Sequence, residues 1–88
     1  MSTFYFTYGT EGQAYFGGWT EVIAENRQQA EAAFLAFHPL RNGFIPCSSV
    51  YTEEEMKKTT MWEVGNFGYR CHETISLTRS FTKEKNND

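Results

Sequence analysis

Aromatic residues alternate with smaller ones at the start of the chain. Phe4, Phe6 and Tyr8 recur at period two within Thr3-Phe-Tyr-Phe-Thr-Tyr8. Side chains two apart share a face of a strand, and aromatic and β-branched residues favour that state, so this segment reads as a strand. Gly9 to Gln13 reads as a turn, followed by a second extended segment from Ala14 to about Ala24. The Gly17-Gly18 pair interrupts it and implies a bulge or a close approach of backbone. The first half of the chain is thus expected to be a β-hairpin. The period then changes. Ala30, Ala33, Phe34 and Phe37 stand at i, i+3, i+4 and i+7, which places them on one face of a helix. Asn26 is positioned to cap it, with Gln29 three residues on as a capping box requires. His38-Pro39 closes it, because the residue before a proline is pushed out of the helical region. The predicted helix is 27–37.

Period two resumes in the second half. Leu40 to Gly43 is a loop, and Phe44 to Tyr51 reads as a strand, confined by Pro46 to an edge or a strand start. Thr52 and Glu55 form a second capping box, and Tyr51 and Met56 take the positions of a hydrophobic staple, predicting a short helix over 53–59. Glu53, Glu54 and Glu55 fall in its first turn, where the helix dipole favours negative charge, so the acidic run needs no ligand. Lys57 and Lys58 match the opposite end. Thr60 to Val64 is expected to be extended, and Gly65 to Gly68 a turn. The last strand is expected over 69–78, with Tyr69, Cys71, Glu73, Ile75 and Leu77 on the core face. Arg70, His72, Thr74, Ser76 and Thr78 would then face water. Residues 82–88 read as a flexible tail. The order ββαβαββ predicts a two-layer α+β domain over 1–81. Its sheet would be antiparallel or mixed, of four to five strands, with the helices on one face.

Composition narrows the function classes. The chain has 88 residues, with eight Phe, five Tyr and two Trp against a net charge of −3. This aromatic content supports a packed core and excludes a disordered body. No apolar run is long enough to cross a bilayer. No basic stretch leading into an apolar one opens the chain, so a reducing, cytoplasmic setting without a disulfide is expected for Cys47 and Cys71. The basic residues are scattered, without the stripe that phosphate neutralisation demands, so direct nucleic-acid recognition is not expected.

Site chemistry is sparse. His38, Cys47, Cys71 and His72 could ligate zinc, but the only close pair, Cys71-His72, points to opposite faces of a strand. Cysteine catalysis needs a thiolate beside an oriented histidine. His38 could reach Cys47, yet no spacing requires it. Gly9-x-x-Gly12 lies between strands rather than before a helix, and Gly65-Asn-Phe-Gly-Tyr69 lacks the leading basic residue of an RNA-binding signature. No cofactor, metal or enzymatic activity is therefore expected. Glu73 is the odd residue, a carboxylate on an apolar parity. Either it lies at a rim or a bulge, or its charge is held for Arg70, Arg41 or a ligand. The aromatic excess points to a contact surface instead, with Trp19, Trp62, Tyr69, Arg70 and His72 as its expected members.

Several segments also resemble a family of small uncharacterised proteins of phages and prophages of Gram-positive bacteria. They are Gly18-Trp-Thr-Glu-Val-Ile-Ala24, Phe37-His-Pro39, Val50-Tyr-Thr-Glu-Glu-Glu55, Gly65-Asn-Phe-Gly68 and Cys71-His-Glu73. The likeness spans roughly residues 4–76 and brings no residue roles with it. It implies a counter-defence setting: stoichiometric inhibition of a host defence protein such as a CRISPR–Cas effector. A sponge for a defence signalling nucleotide is the alternative. There aromatics would stack on the base, while Arg70, His72 and amides near Gly17-Gly18 hold phosphate. A homo-oligomeric accessory protein, closing its strand edges by self-pairing, is a third.

Overall fold

The computed structural model describes residues 1–62, 71–77 and 82–84. Its centre is a five-stranded mixed sheet. The strands are β1 (Ser2–Thr7), β2 (Trp19–Ala24), β3 (Ser49–Thr52), β4 (Cys71–Ser76) and β5 (Thr82–Glu84), in the spatial order β3-β1-β2-β4-β5. β1 pairs antiparallel with β2 and β3, and β4 pairs antiparallel with β5, while β2 and β4 run parallel. The fold is α+β, with a strand and helix order that roughly matches expectation. Thr82–Glu84, expected in the tail, instead closes one edge of the sheet as β5.

Helix α1 (Arg27–Phe37) forms where its apolar face predicts. Asn26 has extended backbone and its Oδ1 accepts from Gln29 N at 2.9 Å. The Gln29 side chain accepts from Glu25 N rather than from the cap itself. Ala30, Ala33 and Phe34 are buried against Phe4, Phe6, Val22 and Ile75, and Phe34 stacks on Phe6 at 4.4 Å between centroids. The capping box at Thr52 is complete, with Thr52 N donating to Glu55 and Glu55 N to Thr52 Oγ1. The helix it starts, α2 (Glu53–Met56), is shorter than expected. Thr60–Trp62, read as extended, forms a 3₁₀ turn, because Trp62 N reaches back to Thr59 O. The helices do not share one face. Met56 packs with Tyr5 and Trp19 in a second cluster, on the side of the sheet opposite Phe4 and Phe6. Tyr51 and Trp62 complete that cluster.

Two strand starts differ from expectation. Ala14–Gly18 is turn rather than strand: Gly18 N bonds Tyr15 O, and Gly17, at φ +93°, takes a conformation that other residues resist. Likewise β3 starts at Ser49 rather than Phe44, with Pro46 in the preceding irregular stretch. The most consequential difference is in β4. Trp19 faces Cys71, but the next residue, Thr20, faces Glu73, leaving His72 as the extra residue of a bulge. One inserted residue reverses side-chain parity. Cys71 therefore lies with Trp19 and Tyr5, while Glu73 turns to the α1 side with Ile75.

Candidate functional site

Glu73 is fully buried. A carboxylate withdrawn from water must be compensated by donors or paired charge. Arg41 Nη1 reaches Gly12 O at 3.4 Å, and Arg70 lies outside the described residues. Thr20 Oγ1 donates to Glu73 Oε1 at 2.9 Å, and Tyr15 OH approaches Oε2 at 3.5 Å. The His38 Nε2 makes a short hydrogen bond to Oε1. Tyr8 OH lies 2.6 Å from Thr20 Oγ1, and since that hydroxyl gives its proton to Glu73, Tyr8 donates to Thr20. Burial holds Tyr8 well above the usual phenol range, and Glu73 adds to the effect. Tyr15 is raised for the same reasons in the same order. Both phenols thus remain donors across the physiological range.

Local structure explains each position. His38 is the α1 C-cap, its N–H bonded to Phe34 O, and Pro39 prevents the helix from continuing. The ring is held against Phe34 at 4.7 Å, with Tyr8 and Tyr15 edge-on. The glycine turn after Ala14 places Tyr15 so that its ring lies parallel to His72 at 4.9 Å. The bulge is what turns Glu73 toward them. His38 retains 14% exposure of its side chain where Glu73 has none. A groove of about 330 Å³ opens there, lined by Ala14, Phe37, His38, Leu40, Arg41 and Pro46 among others.

A second feature adjoins this groove. Asn42 at φ +54° and Gly43 at φ +82° form the centre of a tight hairpin, closed by Arg41 N to Phe44 O at 2.8 Å and Phe44 N to Arg41 O at 3.0 Å. Asn-Gly is the pair that best tolerates two positive φ angles in succession. Phe44, directly after the turn, is 74% exposed, and Leu40 just before it 55%.

The expected contact residues divide. Trp19 is 3% exposed and belongs to the interior, its indole N–H bonded to Glu21 at 3.2 Å. Its burial follows from the side chains packed over that face of the sheet, Tyr5, Met56, Trp62 and Cys71. Trp62 is half-buried and stacked on Trp19 at 6.1 Å. His72 is half-buried against Tyr15 rather than presented to water. Tyr69 and Arg70 lie outside the described residues. Trp19 is therefore hidden and Trp62 half-covered, and among the described residues the exposed phenyl rings are Phe16 and Phe44.

The cysteines are not arranged for nucleophilic chemistry. Burial pushes both the Cys47 and the Cys71 thiol up to about 11, opposite to what activation requires. Among the described residues, no cluster of His, Cys, Asp or Glu converges to hold a metal ion. No described helix is long and apolar enough to cross a membrane. Comparisons with family models, curated proteins and solved structures found no match.

Sequence reasoning singled out Glu73 but missed its partners. His38 read as a helix stop, and Tyr15 and Thr20 as strand residues. The Asn42-Gly43 pair was the legible signal for the Phe44 turn, since it marks tight hairpins.

Proposed function

We propose that this protein is a non-catalytic binding protein that engages another protein through the Leu40–Phe44 hairpin. The observation that carries the reading is Phe44, an apolar ring 74% exposed on a turn locked by paired backbone hydrogen bonds. Exposed loops ordinarily carry polar residues, and a turn whose backbone is already fixed loses little backbone entropy when an apolar socket receives its ring. Leu40 widens the apolar rim. The resemblance to phage proteins supplies the proposed setting: stoichiometric inhibition of a host defence component such as a CRISPR–Cas effector, in the bacterial cytoplasm.

The test is co-elution of the purified protein with candidate defence complexes by size exclusion with light scattering. A stable complex that Phe44→Ala weakens is the expected result. No complex with any candidate, or one indifferent to Phe44→Ala, overturns the reading. The same light-scattering trace reports a self-associated form.

A further inference from the structure

His38 has one ring nitrogen committed and one available. Its Nε2 is bonded to Glu73. A carboxylate accepting there puts a proton on Nε2, and in the neutral ring Nδ1 is then an acceptor. Among the described residues nothing in the protein hydrogen-bonds Nδ1, and that atom is not sealed from solvent. Glu73, Thr20, Tyr15 and Tyr8 fix the ring from behind, with Phe34 packed on its face. This is how a protein pre-orients an imidazole for one specific hydrogen bond.

The groove over His38 supplies the rest of a ligand's needs. Phe37, Pro39, Leu40 and Pro46 offer apolar walls, and Arg41 stands in the lining as a cation. Its volume of about 330 Å³ is at the small end of ligand pockets.

We propose that this groove binds a small organic anion made of a planar heterocycle with an exocyclic N–H donor and a phosphate, the nucleoside monophosphate class. The amine would donate to His38 Nδ1, the ring would lie between the apolar walls, and Arg41 would hold the phosphate. This site differs from the one the sequence suggested for a nucleotide, and it stands independently of the protein-binding reading.

The experiment titrates the full chain, labelled at histidine and leucine, with adenosine monophosphate and follows His38 and Leu40 by NMR. Saturable shifts at both are expected. Arg41→Ala, an exposed loop substitution whose folding a thermal melt verifies, should weaken binding at least tenfold. Purine riboside monophosphate, which lacks the amine, should bind about tenfold more weakly, the loss of one hydrogen bond in a built site. Phe44→Ala should leave the titration unchanged, which separates this site from the proposed protein contact. Absence of saturable shifts at millimolar nucleotide overturns the proposal. So does binding that ignores both the Arg41 substitution and the missing amine.

Discussion

On the α1 side of the sheet a carboxylate, Glu73, lies wholly out of water, while at the Arg41–Phe44 hairpin a phenyl ring stands 74% in it. Both reverse the usual partition of polar and apolar groups, but they are maintained differently. Among the described residues, Glu73 is held by side-chain donors from separate parts of the chain, including Thr20, Tyr15 and His38. Phe44 is held by its own turn, through two backbone bonds and an Asn-Gly pair. The carboxylate is therefore coupled to folding, and the ring is not. A group bound into the tertiary structure can be assessed by stability, whereas a group displayed by a local turn must be assessed by binding.

That contrast can be broken at either end. Glu73→Ala should show the largest effect, a loss of about 3–5 kcal/mol in denaturant unfolding, because His38 and Thr20 lose their acceptor in a dry site. Phe34→Ala should cost a similar ~3–5 kcal/mol by opening a cavity beneath His38. If Glu73→Ala left stability unchanged, the network would contribute nothing to the fold. Phe44→Ala should move stability by no more than about 0.5 kcal/mol. It should nonetheless cost a bound protein partner about 2 kcal/mol or more, read by calorimetry.

Smaller effects sharpen the local side of the comparison. Asn26→Ala should lose about 1 kcal/mol, since Gln29 N would lack its cap. Neither thiol should react readily with Ellman's reagent at mildly alkaline pH, because a group titrating at about 11 is mostly protonated there. The smallest effect is at Glu55. The Thr52 backbone N–H lowers its pKa from the ordinary 4.5, with Arg27 assisting. A carboxylate lowered on folding stabilises above its unfolded value and loses that contribution as pH falls through the folded one. Thermal melts of Glu55→Gln against the parent should therefore differ at neutral pH and converge in acid.

The elements that sequence reading located share one property: their causes are local. The α1 face, the Asn26 cap and the Thr52–Glu55 box each depend on residues within about two helical turns of one another, so spacing alone reveals them. The β4 bulge depends instead on how Trp19 and Thr20 align with Cys71 and Glu73 across a parallel pair. No regular alternation in 69–78 betrays it. The tryptophans were misplaced for a related reason. An aromatic surplus says that some rings must be exposed, but what packs over each face of the sheet decides which, and Trp19 lies among Tyr5, Met56 and Trp62.

By itself, the sequence determined the α+β class, the hairpin, the long helix with its ends, and the oddness of Glu73, because period, caps and turn chemistry act between near neighbours. Only the tertiary structure decided that Glu73 meets His38, that Trp19 is interior and that Phe44 is displayed. Those outcomes depend on strand register and on packing between residues far apart in the chain, where a shift of one position exchanges the two faces of a strand.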